Sequence, residues 1–163
     1  MPHSQHARGR RALALVAMTC GAIACASGGA AGAPAAVTAI TNDAIAPSLG
    51  VDLATYTRTP DGLFYKDLSI GDGAEAKAAS RVKVAYRMLL TNGAQVDSSA
   101  GLTIRLQGGD PIIKGWRLGI PGMKVGGSRV LIIPPELGYE WRQVGKIPPN
   151  STLLFRVQLM AVE

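Results

Sequence analysis

The chain has 163 residues, with 17 Lys or Arg against 11 Asp or Glu, a formal net charge of +6, and 47% hydrophobic residues. Its cysteines, Cys20 and Cys25, and its histidines, His3 and His6, all lie near the start, so the remainder has no disulfide, no thiol or imidazole chemistry and no cysteine- or histidine-ligated metal. From Ala26 onward 14 basic residues stand against 11 acidic ones, a net +3 without any basic run, which is an ordinary surface rather than a nucleic-acid footprint.

Arg8, Arg10 and Arg11 precede a charge-free run from Ala12 to Ala26, and small residues continue to Ala36. That is the pattern of an export leader, and the run is shorter than the roughly 20 residues needed to span hydrocarbon. Residues 1–33 are therefore expected to be a signal peptide or lipoprotein leader, with the product exported, in a bacterium to the periplasm. The paired arginines suggest a twin-arginine route. Two products stay open: Ala22-Ile23-Ala24-Cys25 weakly resembles a lipoprotein box that would anchor the chain by a lipid on Cys25, whereas cleavage near Ala30 to Ala33 would release a soluble protein. Residues 34–50, rich in Ala, Gly and Pro, are expected to be a flexible linker, and residues 51–163 one domain.

Within that domain Gly62-Leu63-Phe64-Tyr65 is a turn entering a short strand, and Gly71-Asp72-Gly73 is a turn. Val82, Val84 and Tyr86 alternate on one face of a strand that runs to Leu90, and Asn92-Gly93 is a strong hairpin signal. The partner run reaches Val96-Asp97, Ser98 to Gly101 suggests a tight turn, and Leu102, Ile104 and Leu106 alternate in a half-buried strand. Asp110 and Pro111 suggest the cap and first position of a helix carrying Ile112, Ile113, Trp116 and Ile120, limited to two or three turns by Gly119 and Pro121. Such a helix is marginal alone and needs a sheet to cover its apolar side.

Arg129 to Ile133 is another strand, stopped by Pro134-Pro135. Residues 135–149 form an ordered loop with Tyr139, Trp141 and Ile147, and Leu153, Phe155, Val157 and Leu159 share one face of the last strand. About five strands and one short helix predict an α+β fold, a twisted antiparallel sheet wrapped around the helix.

Polar catalytic constellations are scarce. Asp97 and Asp110 fit turn or helix caps, Gly138 argues against pairing Glu136 with Glu140 on a helix, and the serines of the domain have no histidine to activate them. Neither GxGxxG nor a phosphate-binding loop occurs. Tyr86, Trp116, Tyr139 and Phe155 fit either a core or an apolar pocket with a few polar rim groups.

The segments GLFYKDLSIGDG, VKVAYRMLLTNGAQVDSS, IIKGWRLGIPGMKVGGSRVLIIPPELGY and IPPNSTLLFRVQLMAV follow one another from Gly62 to Val162. In their order and spacing they resemble the FKBP family of peptidyl-prolyl cis-trans isomerases. The resemblance implies a pocket with Trp116 as its floor, Tyr86 and Phe155 in its walls and Asp97 at its rim. It further implies that the Ile113 N–H and the Tyr139 hydroxyl meet substrate carbonyls, with Val96, Ile112 and Ile147 as substrate-binding neighbours.

The same resemblance implies a monomer acting without cofactor on proline-containing unfolded or partly folded proteins, and macrolide ligands. Departures are Val96 where the family has phenylalanine, Arg87-Met88 for threonine-glycine, a short Ser98–Gly101 segment, Glu140 where glycine follows the loop tyrosine, and Gln107-Gly108-Gly109 for leucine-glycine. Three readings stay open: an exported prolyl isomerase, a proline-directed binding or chaperone module with little turnover, and a domain kept for structural interaction with a partner.

Overall fold

In the computed structural model residues 40–163 are described. The expected leader, Cys25 and the first part of the linker lie outside them. Antiparallel strands β1 (Thr57–Arg58), β2 (Phe64–Ser69), β3 (Arg81–Leu90), β4 (Gln95–Arg105), β5 (Ser128–Ile133) and β6 (Leu153–Val162) form one sheet ordered β1-β2-β5-β6-β3-β4, and α1 (Lys114–Gly119) packs on one of its faces. The α+β architecture is the expected one, with the two-residue β1 added to the five strands.

β5 and β6 sit at the centre, and their sequence shows it. Every residue of β5 from Arg129 to Ile133 is buried, as expected for a strand covered on both faces. Leu131 and Ile133 join Val82, Val84, Trp116, Phe155, Val157 and Leu159 in the main core beneath α1, while Val130 and Ile132 join Ile45 and Leu154 in a second core on the opposite face. α1 lies very close to β5: a Cβ on Gly115 would come within 2.6 Å of Ile133 Cγ2, and one on Gly119 within 2.7 Å of Leu131 Cδ2. Glycine at these two positions is therefore a packing requirement.

The second core changes the reading of residues 40–50. This part of the expected linker is packed: Ile45 is 4% exposed, the Ala46 N–H donates to the Thr91 carbonyl at 2.7 Å, and Asn42 Oδ1 accepts from the Leu53 N–H at 2.9 Å. The reason is the apolar outer face of β5, which needs a cover that the single helix cannot supply.

Two local expectations are corrected. Ser98–Gly101 is not a tight turn but part of β4, where Ala100 and Gly101 lie opposite Ala85 alone and the ladder absorbs the extra residue as an irregularity between Tyr86↔Ser99 and Val84↔Leu102. Asp110 does not cap α1. The helix begins at Lys114, with Ile113 as its N-cap at φ −67, ψ 151, whereas Asp110 Oδ2 accepts from the Arg105 N–H at 2.6 Å and its carbonyl accepts from Arg117 Nη2 at 3.0 Å. Strand end and helix start compete for that carboxylate, and the strand end takes it.

Candidate functional site

The alternation that buries Val82 and Val84 carries Tyr86 and Met88 to the same face of β3, and the register sets Phe155 of β6 opposite Met88. Trp116 meets them from the buried side of α1. Its ring centroid is 5.0 Å from that of Tyr86 at 79° and 5.3 Å from that of Phe155 at 78°, two edge-to-face contacts. Together with Asp97, Leu102, Pro111, Ile112, Ile113 and Tyr139 these residues line a cavity of about 150 Å³.

Polar groups sit in and around it. Tyr86 Oη donates to Asp97 Oδ2 at 2.6 Å, and the Ser98 N–H donates to Asp97 Oδ1 at 2.8 Å, so both carboxylate oxygens are held. Burial, then the hydrogen bond to Asp97, then the charge of Asp97 and the nearby Tyr139 push the Tyr86 hydroxyl well above the ordinary phenol range. Burial first and the Asp97 charge second raise Tyr139 as well. Both phenols therefore stay protonated at neutral pH and can act as donors.

Because Ile113 precedes the first turn of α1, its N–H enters no backbone hydrogen bond among the described residues. Trp116 Nε1 is buried without a hydrogen-bond partner among the described residues.

The loop between β5 and β6 positions Tyr139 at some backbone cost. Glu140 takes φ 56, a left-handed conformation that few non-glycine residues adopt. It is held there by its N–H donating to the Pro135 carbonyl, by its carbonyl accepting from the Asn150 N–H, and by Glu140 Oε1 accepting from Lys114 Nζ at 3.1 Å. The departure from glycine at this position is thus accommodated by the loop.

Of the expected site residues, the structure brings together Tyr86, Asp97, Ile112, Ile113, Trp116, Tyr139 and Phe155 around one cavity. Val96 and Ile147 are not in its lining. Val96 is the inserted residue between Leu89↔Gln95 and Met88↔Asp97 and packs, partly buried, against the main core, and Ile147 is 4% exposed within that core. Met88, Leu102 and Pro111 join the lining beyond the expected set. Extending the period of Val82, Val84 and Tyr86 points to Met88, whereas Pro111 looks in sequence like the first residue of a helix that in fact starts at Lys114.

Beneath the site, Arg129 is 7% exposed and reaches under α1. Its Nε and Nη2 donate to the two Asp67 carboxylate oxygens at 2.6 and 3.1 Å, and Nη1 donates to the Gly119 and Pro121 carbonyls at 2.9 and 3.3 Å. The guanidinium also lies 4.7 Å from the Tyr65 ring centroid. This one side chain ties β2 and β5 to the end of the helix that carries Trp116.

The sequence model of the FKBP-type peptidyl-prolyl cis-trans isomerases matches residues 73–160. An FK506-binding protein of Neisseria meningitidis is 45% identical over 106 residues, covering 62% of this chain and 96% of that protein. The FK506-binding protein 4 of Chaetomium thermophilum is 40% identical over 120 residues, covering 72% of this chain but only 23% of the relative. Among solved structures, that of FkpA from Escherichia coli is 36% identical with a TM-score of 0.62, covering 72% of this chain and 55% of that one. Several of the relatives are thus much longer than the part that matches.

Proposed function

This chain belongs to the FKBP-type peptidyl-prolyl cis-trans isomerase family, and from that premise we propose that it accelerates cis-trans isomerisation of X–Pro peptide bonds in unfolded or partly folded polypeptides. The observation that carries the reading is the cup itself: Trp116 edge-on to both Tyr86 and Phe155, with the Ile113 N–H, the Tyr139 hydroxyl and the Asp97 carboxylate among its lining residues.

The obstacle to the reaction is amide resonance, with a barrier of roughly 20 kcal/mol and uncatalysed times of tens to hundreds of seconds. Twisting the C–N bond localises the nitrogen lone pair and reduces the carbonyl's polarity. A dry apolar cup favours that less polar state over the planar, hydrated amide when it fits the twisted form more tightly. Trp116 supports the prolyl ring, Phe155 and Tyr86 close the sides, and the Ile113 N–H and Tyr139 hydroxyl orient the flanking carbonyls. Asp97, fixed by Tyr86 and Ser98, holds the rim in place. No bond to the protein forms, and no proton leaves it.

A second reading, a proline-binding module with little turnover, is favoured by Val96, whose side chain does not reach the cavity lining. A protease-independent isomerisation assay on the purified protein, with Trp116→Leu and Tyr139→Phe variants of intact fold, separates the two. Acceleration lost in Trp116→Leu supports the isomerase, and retained peptide binding without acceleration in the parent supports the module. Family membership also supports macrolide ligands for this chain, bound more weakly because Val96 is short, and titration of the purified protein with such a ligand tests it.

The arginines before the charge-free run from Ala12 to Ala26 support export to the periplasm, where such a protein would serve exported clients. Fractionation of cells expressing the full chain, with a Cys25→Ala variant to test for a lipid anchor, decides between export and retention.

A further inference from the structure

On the sheet face turned away from α1, the alternation leaves a row of uncompensated positive charge. Arg87 of β3 and Arg156 of β6 stand directly opposite each other, and the row continues through Val130 to Lys66. Like charges directly opposite destabilise a ladder. Both arginines are exposed, and the ion pairs among the described residues use Arg81, Lys114 and Arg129 instead. Lys66 is occupied elsewhere, donating to Thr55 Oγ1 at 3.0 Å and lying over the Tyr56 ring. Residues 1–39 contain no Asp or Glu, so that part of the chain has no carboxylate side chain to neutralise the pair.

The two arginines line an open groove of about 430 Å³, which also has Leu68, Ser98, Ser128 and Gln158 in its walls. They also line an adjoining apolar dimple of about 80 Å³ that includes Leu49, Val51 and Tyr56. We infer that this groove binds an acidic segment of another polypeptide, two carboxylates being received by the Arg87 and Arg156 guanidinium groups.

The planar forks match carboxylates in two-point contacts. The hydroxyls of Ser98 and Ser128 and the amide of Gln158 can both donate and accept, which suits a peptide backbone. At about 430 Å³ the groove holds more than a single small anion, and the dimple beside it suits an apolar side chain of the same segment. The inference stands independently of the prolyl reaction, because neither arginine lines the cup: Tyr86 points to one face of β3 and Arg87 to the other.

The test uses the full chain and a labelled peptide rich in Glu with one Leu, compared with the same peptide carrying Gln for Glu, with inorganic phosphate and with anionic phospholipid vesicles. The expected result is saturable, salt-sensitive binding of the Glu peptide, weakened about tenfold by Arg87→Gln and by Arg156→Gln as each removes one charge-assisted contact. Arg156→Glu should abolish binding yet raise Tm, since it replaces the opposed arginines by an ion pair. Proline turnover should be unchanged in all three variants.

Equal binding of the Gln peptide, undiminished binding by Arg156→Glu, or no binding of the Glu peptide would overturn the proposal. So would binding of phosphate or vesicles alone, which would assign the groove to a different anion.

Discussion

Tyr86 and Asp97 meet on a diagonal: the ladder partner of Tyr86 is Ser99 and that of Asp97 is Met88, yet the Tyr86 hydroxyl reaches Asp97 Oδ2 at 2.6 Å. The contact crosses the hairpin between β3 and β4 within a stretch where β4 carries two ladder irregularities. It makes Asp97 a fixed acceptor at the rim and adds to the burial that already holds the Tyr86 hydroxyl protonated.

This pairing gives a pH dependence of known sign. An unfolded tyrosine loses its proton near pH 10.0, whereas Tyr86 and Tyr139 in the fold lose theirs only at higher pH. Below pH 10.0 both states are protonated and the contribution to stability is complete. Above it the unfolded chain binds fewer protons than the folded one, so stability falls as pH climbs toward the folded values. Thermal melts on either side of pH 10.0 should show that loss, and Tyr86→Phe should reduce it, leaving the share of Tyr139, while costing about 1 kcal/mol at neutral pH for the missing hydrogen bond. A variant with the parent's pH slope would remove Tyr86 as its source.

Val96 tests the wall. It packs against the core beside Asp97 without entering the cavity lining. Val96→Phe is expected to extend the apolar wall and raise kcat/KM on a proline peptide about threefold or more, the equivalent of about 0.7 kcal/mol in the transition state. A folded variant with unchanged turnover would show that an incomplete wall does not set the rate.

Gly115→Ala tests the seat of α1. The added methyl would meet three atoms of the Ile133 side chain at 2.6 to 2.9 Å, so the helix or β5 must move. The overpacking cost of about 2 kcal/mol is offset in part by about 1 kcal/mol of helix propensity. Urea unfolding should show a net loss of about 1 kcal/mol or more. Prolyl turnover should fall further than stability does, because Trp116 follows Gly115 in the helix.

Arg129→Met tests the tie beneath the site. It removes both contacts to Asp67 and leaves the Gly119 and Pro121 carbonyls without their guanidinium donor. The expected cost is about 3 kcal/mol, toward the lower end for a broken buried pair because the Asp67 carboxylate is 35% exposed. Denaturant unfolding measures it, and a loss below about 1 kcal/mol would mean that the pair contributes no more than a surface one.

By itself the sequence determined the strand alternation, the Asn92-Gly93 hairpin, the short helix of Gly115 and Trp116, and, through the spacing of its motifs, the set of aromatic residues that converge. These are local patterns, or patterns shared with a family, and periodicity or motif order records them directly. Only the tertiary structure decided that Asp110 closes a strand instead of capping α1, that Ser98–Gly101 is absorbed into β4, and that residues 40–50 cover the outer face of β5. It alone placed Arg129 under the helix and Arg87 opposite Arg156. Each of these depends on which distant backbone lies within reach of a side chain, and that is settled by sheet register and by the apolar area left to cover, neither of which is visible in a local window of sequence.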